Sequence, residues 1–208
     1  MCGRYSALTE EEIIEIREVI REVSLRLAND DWQPPTPGDV YPTHNAPVIT
    51  GGTNATVNLE TLRWGFKKWD GKGVIINARS ETLQTKSTFA PLLVAGRCVV
   101  PASEYYEWQT QGKQKVKHHI KDAAGYLLFM AGLYRNTPGG EPHEREFVII
   151  TKQAHDNVAE VHDRMPVILR ANQIEAWLNG TLAPDDISNV DFNAAVAPCE
   201  SSFSQMTL

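Results

Sequence analysis

Cysteine is scarce in this chain, and the cysteine patterns that build metal sites or disulfide scaffolds are missing. The 208 residues include only Cys2, Cys98 and Cys199, with no Cys-x-x-Cys pair and no His-Glu-x-x-His motif. An odd, widely spaced set does not suggest a disulfide framework, and the missing ligand spacing leaves a zinc site without support. We therefore expect no disulfide framework, no metal and no cofactor.

Long apolar runs are also missing. No stretch approaches the roughly 18 consecutive apolar residues that a membrane helix needs, and the first residues lack the apolar core of a signal peptide. With 42% hydrophobic residues, the chain can still bury the core of one domain. We expect a single domain over 1–208, monomeric, without a membrane partner, and cytoplasmic (nucleoid-associated if the source is bacterial).

Positive charge is in deficit overall, but it is unevenly distributed. The net charge is −6, residues 10–31 alone carry −5, and an acidic C-terminal tail over about 175–208 has five acids and no Lys or Arg. The remainder therefore carries +4. A mildly basic middle between acidic ends is compatible with a local phosphate-binding groove, although such an excess more often marks a solvated face.

The remaining pattern predicts many short strands and few helices. Thr9 and Glu12 match a capping box, and apolar residues at helical spacing then predict an amphipathic helix over 10–29. The Pro- and Gly-rich segment 32–47 predicts a loop with at most one short strand. The pattern favours an α+β fold with a largely antiparallel sheet or distorted barrel and a few flanking helices. Strands are predicted at 55–62, 74–77, 97–101, 104–108, 116–120, 126–133 and 146–151, and helices near 153–161 and 171–178.

Cys2 is the first candidate for chemistry. Removal of Met1, which is usual before a small residue, would leave Cys2 with a free α-amine beside its thiol. Unperturbed, the two groups have pKa values near 7.7–8.0 and 8.5, so both are partly nucleophilic near neutral pH. Such a 1,2-aminothiol forms a Schiff base with an aldehyde and then closes a thiazolidine ring. The competing interpretation is an incidental residue at a frayed terminus.

Other segments offer polar groups that such a nucleophile needs. Asn77 follows an apolar strand, Glu107 lies among aromatic residues, and His162 precedes a fixed cation. Desolvation of the carboxyl group would raise its pKa toward general acid–base work. Each also has a structural interpretation: Asn77 as a turn cap, Glu107 as the partner of a cross-strand lysine, His162 as a core or loop histidine.

Together these segments resemble a known family, the SRAP (SOS response-associated peptidase-like) proteins that crosslink to abasic sites. The resemblance extends from residue 2 to about 200, and its motifs occur in one order. They are Met-Cys-Gly-Arg-Tyr at 1–5, Tyr-Pro-Thr-His-Asn-Ala-Pro at 41–47, Arg-Trp-Gly at 63–65, Ile-Asn-Ala-Arg-Ser-Glu at 76–81, Pro-Ala at 101–102 with Tyr-Glu-Trp at 106–108, and Val-His-Asp-Arg-Met-Pro at 161–166.

The resemblance implies a chemistry and a role for four residues. Cys2, freed of Met1, would form a thiazolidine with the aldehyde of an abasic site in single-stranded DNA, which protects the lesion in the DNA damage response. Asn77 would position the opened sugar or the Cys2 amine. Glu107 would act as general acid–base, and His162 would assist proton transfer.

The resemblance also implies a DNA-binding surface. Arginines would bind phosphates, since their fork of donors suits phosphate oxygens, and exposed tryptophans would stack on bases. Core packing is the competing interpretation for Trp64, and the Pro-rich loop 34–47 would act as a wedge beside the lesion. The DNA-binding residues would be Arg4, Arg79 and Arg164, with Trp64 and Trp69 (and Phe66) for bases and Lys67 and Lys68 for phosphates.

Departures from the family pattern leave alternatives open. Glu104 adds a second carboxylate before Glu107, and Lys67-Lys68 stands where relatives often carry tryptophan, so phosphate contacts would replace base contacts there. A thiol peptidase limited to self-processing, using Cys, His and Asn, is a second hypothesis. A non-covalent single-stranded DNA-binding module is a third, and a lyase side reaction by β-elimination is a further expectation.

Overall fold

Within the described residues, which are 2–6, 8–23, 25–28, 32, 37–52, 55–141, 144–187 and 192–199 of a computed structural model, sixteen mostly short strands outweigh four helices. The helices are α1 Glu10–Glu22, α2 Leu92–Ala95, α3 Asp156–Ala159 and α4 Ile174–Leu178, with 3-10 turns at Ser80–Thr82, Ala171–Gln173 and Pro184–Asp186. The strands are β1 Tyr5–Ser6, β2 Arg26–Leu27, β3 Asp39–Val40, β4 Asn45–Gly51, β5 Thr56–Trp64, β6 Phe66–Lys67, β7 Val74–Ile75, β8 Asn77–Arg79, β9 Arg97–Ala102, β10 Tyr105–Gln111, β11 Gln114–Asp122, β12 Leu128–Asn136, β13 Arg145–Gln153, β14 Arg164–Pro166, β15 Ile168–Leu169 and β16 Ala194–Pro198.

Five strands close into a small barrel. Antiparallel pairs join β13 to β12, β12 to β9, β9 to β4 and β4 to β5. A short parallel pairing of β5 with β13, at Arg63↔Glu146 and Trp64↔Phe147, closes the ring. The α+β prediction with a largely antiparallel, distorted barrel core is confirmed.

A second sheet lies beside this barrel and carries the start of the chain. Its order is β16-β11-β10-β1-β3, so β1 lies between two partners, Tyr5 facing Tyr105 on one side and Val40 on the other. The Tyr5 ring packs against the Trp64 ring of the barrel, with centroids 5.1 Å apart. The two sheets therefore share one apolar core, which includes Cys2.

Helix α1 begins where the sequence predicts and ends sooner. Both capping-box bonds form, Glu12 N–H to Thr9 Oγ1 and Thr9 N–H to a Glu12 carboxylate oxygen. The predicted end at 29 is wrong, because the helix stops at Glu22 and β2 then pairs with β5. Leu27 still packs against the core from its strand, so its apolar spacing mimics another helical turn. No helix in the described ranges is long and apolar enough to cross a membrane.

Two other segments are more ordered than predicted. The Pro-rich segment 32–47 contains β3 and the start of β4, while 33–36 lie outside the described residues. Pro47 fits into β4 because β9 pairs only at Ile49 and Thr50, which leaves the proline's missing N–H without consequence. The acidic segment 175–208 is not a simple tail, since it contains most of α4 and all of β16, which pairs with β11.

Candidate active site

The residues that lead into β1 place Cys2 in the core next to β10. Ser6 N–H donates to Glu104 O and Tyr106 N–H donates to Arg4 O, each at 2.9 Å, which leads the chain back toward Glu107. Cys2 is fully buried, and its Sγ lies 3.9 Å from Arg4 O. Cys98 is also buried, and only Cys199, at the end of β16, is partly exposed among the three.

Burial controls the ionisation of the Cys2 thiol. Desolvation raises the pKa of this thiol far above its ordinary value, and the nearby Glu107 carboxylate raises it further. The thiol is therefore held protonated at neutral pH. Two buried tyrosines, Tyr5 and Tyr105, interact electrostatically with the same thiol, and burial raises the pKa of both hydroxyls.

Asn77 contacts Cys2 directly. Strand β8 runs parallel to β13, with Asn77 opposite Ile149, and this places the Asn77 side-chain amide beside the buried Cys2. Asn77 Nδ2 donates to Cys2 O at 2.9 Å. Within the described part of the chain, its buried Oδ1 accepts no hydrogen bond. Asn77 therefore orients the Cys2 backbone and keeps one acceptor available.

Glu107 is a buried carboxyl group in the middle of β10. Its cross-strand neighbour on β11 is His118, not a lysine, so the structural interpretation of a lysine pair is wrong. The residue is only 2% exposed. Burial raises the pKa of Glu107 to about 7, which places its titration in the range where proton transfer is useful.

His162 lies in the turn between α3 and β14, facing Glu107. Its Nε2 is 4.0 Å from a Glu107 carboxylate oxygen. Its Nδ1 lies 2.9 Å from both the Arg164 N–H and Asp163 Oδ1. One nitrogen cannot satisfy both partners at once: the neutral ring accepts from Arg164, and the imidazolium donates to Asp163. Burial lowers the pKa of His162, which favours the neutral ring.

Arg164 ties the two halves of the site together. Its guanidinium makes two hydrogen bonds to Glu81, at 2.6 and 2.9 Å, and one to Thr151 O of β13 at 2.6 Å. These bonds hold the pKa of Glu81 low, at about 2. Because Glu81 follows Asn77 and Arg164 follows His162, the pair fixes both segments against β13.

Comparison with known proteins identifies the fold and the motifs around Cys2. The family described as SOS response associated peptidase (SRAP) matches residues 1–203. The chain belongs to this family. It is 36% identical over 194 residues to the abasic site processing protein YoqW of Bacillus subtilis strain 168, covering 86% of this chain and 80% of that one.

Two further SRAP relatives and a solved structure are also similar to this chain. The abasic site processing protein YedK of Escherichia coli K12 is 28% identical over 205 residues, which cover 94% of this chain and 87% of YedK. HMCES of Gallus gallus is 35% identical over 157 residues, covering 61% and 46%. A crystal structure of a Bacteroides thetaiotaomicron protein has a TM-score of 0.76 at 21% identity, covering 96% and 92% of the two chains, which concerns the fold alone.

The DNA-binding residues inferred from the SRAP motifs fall into three environments. Trp64 is fully buried and donates to Ile76 O at 3.0 Å, so its predicted base stacking is wrong, as it is for the buried Phe66. Arg164 makes internal bonds and would have to exchange Glu81 for a phosphate. Arg79 is exposed, and Trp69 is 99% exposed.

A basic groove is lined by Lys67 and Lys68, which follow the Arg-Trp-Gly motif. It has a volume of about 590 Å³ and extends along the β6–β7 hairpin. Arg63 and Arg135, which were not among the predicted DNA-binding residues, are held there by the fully buried Glu146 at 3.9 and 2.7 Å. The cationic and aromatic side chains lining the groove are Arg63, Lys67, Lys68, Trp69 and Arg135.

Arg4 belongs to a second cationic cluster that the sequence did not reveal. Asp39 Oδ2 lies 3.6 Å from Arg4 Nη1 and 3.7 Å from Lys117 Nζ. The Arg4 guanidinium also lies over the rings of Tyr41 and Trp108, at 4.3 and 5.1 Å from the centroids. Lys117 carried no sequence signal, because only the β10–β11 pairing brings it next to the first residues.

Glu104, the competing carboxylate, is committed elsewhere. It accepts from Tyr106 Oη at 2.6 Å and lies 3.1 Å from His119 Nδ1. Glu107, by contrast, faces His162. The geometry therefore favours Glu107 as the carboxyl group that works with Cys2. Among the residues that the structure describes, no group of three or more His, Cys, Asp or Glu is arranged to hold a metal ion.

Proposed function

We propose that this chain, after removal of Met1, forms a covalent link between Cys2 and the aldehyde of an abasic site in single-stranded DNA. The observation that carries the proposal is the placement of Asn77 and Glu107 beside Cys2, with His162 facing Glu107, from three separate elements. Relatives that share the motifs are named abasic site processing proteins. From these names we infer a role in protecting damaged DNA.

The reaction balances without an oxidant or a cofactor. The Cys2 amine adds to the aldehyde carbon of the opened deoxyribose, and loss of one water gives an imine. The thiol sulfur then adds to the imine carbon, while its proton passes to the nitrogen, and a five-membered ring closes. Because its pKa is raised, the thiol stays protonated and is a weak nucleophile. Sulfur attack therefore waits for the imine, whose carbon is more electrophilic when its nitrogen is protonated.

The surrounding groups divide the proton transfers among them. Glu107, with a pKa of about 7, accepts a proton from the attacking amine and returns it to the departing hydroxyl. His162, near Glu107, exchanges that proton with solvent, and Asp163 stabilises the imidazolium form. Asn77 holds the Cys2 backbone and offers Oδ1 to the amine or the sugar hydroxyls.

The cationic surface supplies a path for the DNA backbone. Arg79 lies next to Asn77, and the basic groove of the β6–β7 hairpin adds four cations and the exposed Trp69. Such a mixture of cations and one aromatic ring suits a single strand held without sequence readout. We assign phosphate contacts to Arg79, Lys67 and Lys68, and base stacking to Trp69.

The decisive experiment uses a uracil-containing oligonucleotide treated with uracil glycosylase. Wild-type protein is expected to give a denaturation-resistant adduct, seen as a shifted band, and Cys2→Ala to give none. Protein that retains Met1, made with methionine aminopeptidase inhibited, is expected to be inactive although its thiol is intact. Equal adduct from wild type and Cys2→Ala would refute the proposal, and salt-sensitive binding without any adduct would favour the non-covalent module.

Two further activities are tested with the same material. Self-processing predicts a Cys2 start even when aminopeptidase is inhibited, which intact-protein mass spectrometry detects; a retained Met1 argues against a peptidase. Lyase activity predicts a cleaved strand. The imine can partition between ring closure and β-elimination, so strand cleavage should rise if ring closure is blocked by Cys2→Ser.

A further inference from the structure

A groove unrelated to the Cys2 site opens beside helix α1. It has a volume of about 510 Å³, within the roughly 300–1,000 Å³ typical of ligand sites. Its floor is apolar and nearly inaccessible to solvent, and it shares no residue with the candidate active site or the basic groove. The floor residues are Leu127, Leu128, Phe129, Ile168, Leu169 and Phe192.

The walls of the groove are strongly acidic. Glu15, Glu18 and Glu22 recur along α1 at helical spacing, and Asp122 faces them from the end of β11. Among the described residues that line the groove, Arg170 is the single Lys or Arg. Phosphates would be repelled from this mouth, so the groove selects against nucleic acid and for a cationic partner.

An exposed aromatic ring stands among the same residues. Tyr126 lines the groove while 69% exposed, in the turn that precedes β12. An exposed tyrosine beside carboxylates suits the guanidinium of an arginine or the ammonium of a lysine, which gain from both the ring face and the negative charge. An apolar floor under an acidic rim thus matches an amphipathic segment, apolar on one side and basic on the other.

We propose that this acidic groove binds a basic, amphipathic peptide segment of a partner protein. Its apolar side chains would fill the floor, and its Lys or Arg side chains would pair with Glu18, Glu22 and Asp122. The acidic groove would allow the protein to bind a protein partner while the separate, positively charged basic groove binds DNA. The proposal does not depend on the proposed reaction of Cys2.

The test is an NMR titration of the full-length protein with a short synthetic peptide of repeating Leu-Leu-Lys-Lys, and with its Leu-Leu-Glu-Glu counterpart. Saturable shifts are expected for amides around the floor with the basic peptide only. The double variant Glu18→Gln/Glu22→Gln is expected to weaken binding about tenfold, because each lost pair contributes modestly. Ala171→Phe, which narrows the groove without changing charge, is expected to weaken it as well.

Matched controls separate this site from general attraction to an acidic protein. Glu10→Gln/Glu11→Gln removes the same charge from the same helix outside the groove, and Ala124→Phe adds the same ring outside it; both are expected to bind the peptide like wild type. Equal weakening by the two glutamate pairs, shifts spread over the surface, or no saturable binding at millimolar peptide would overturn the proposal. Adduct formation with abasic DNA should be unchanged by all four variants, which keeps the two proposals distinguishable.

Discussion

At the scale of single residues, burial decides how the groups around Cys2 ionise. The same desolvation raises the pKa of an acid and lowers that of a base, so it keeps the Cys2 thiol and the Glu107 carboxyl protonated longer and His162 neutral. Burial therefore keeps the thiol and the imidazole uncharged at neutral pH, and it brings the titration of Glu107 to about pH 7.

Glu107→Gln is expected to slow adduct formation about 100-fold or more at pH 8, where the wild-type carboxylate is ionised. Because the folded pKa is raised to about 7, the wild-type carboxyl becomes protonated as pH falls, and the difference between the two proteins should shrink below that value. Single-turnover rates between pH 5.5 and 8.5 measure this. Glu104→Gln is the control and should match wild type; a rate difference independent of pH would contradict the assigned role.

Asp39→Asn is expected to tighten non-covalent binding of undamaged single-stranded DNA a few-fold at low salt. The change releases Arg4 and Lys117 from a shared carboxylate, and these partly exposed pairs each contribute little to stability. Binding is measured with Cys2→Ala protein at several salt concentrations. The plot of log binding constant against log salt concentration should steepen by about one released counterion. Asp186→Asn, equal in charge but remote, should have no such effect, and equal tightening by both would mean that only net charge matters.

At the scale of elements, the Arg164–Glu81 pair couples the β8 and β14 segments, which both pair with β13. Glu81→Gln is expected to slow adduct formation several-fold without weakening DNA affinity, since Asn77 and His162 lose their common support while Arg164 is released. The depressed pKa of Glu81 means that its stabilising effect is present above its ordinary pKa of 4.5 and is lost as pH falls toward 2. Because Glu81 is half exposed, that effect is at most about 1 kcal/mol, and denaturant unfolding at pH 6 and pH 3 would detect it; a rate loss accompanied by equal loss of affinity would argue against a positioning role.

Elements were predictable where the sequence period was unambiguous. The capping box fixed the start of α1, and alternation found the strands from β9 to β13, including β10 with Glu107. Periodicity failed at Leu27, which packs against the core from a strand at a spacing that also fits a helix. It failed again at Pro47, because a proline disfavours a central strand and β4 is nevertheless one. The Asp39–Arg4–Lys117 cluster could not be foreseen, because it depends on the pairing of β1 with β3 and of β10 with β11.

At the scale of the whole molecule, the barrel depends on a short parallel contact between β5 and β13. Glu146 lies in this contact, fully buried, and binds both Arg63 and Arg135. Glu146→Ala is expected to lower the free energy of unfolding by about 2–3 kcal/mol, since it removes charge-assisted hydrogen bonds to two partly exposed arginines and the acceptor of the Lys67 N–H. Denaturant unfolding measures the loss, with the exposed Glu141→Ala as control, and a change below about 1 kcal/mol would mean that the closure does not rely on this carboxylate.

The burial of Cys2 also determines which reagents can attack its sulfur. Peroxides and alkylating agents attack thiolates, and the elevated pKa of this thiol leaves almost none of that form at neutral pH. Oxidative stress, which itself damages DNA bases, would therefore spare the sulfur at the moment it is needed. In the proposed reaction, an aldehyde that first condenses with the Cys2 amine would still engage the sulfur, so reactivity toward aldehydes is expected to survive oxidising conditions.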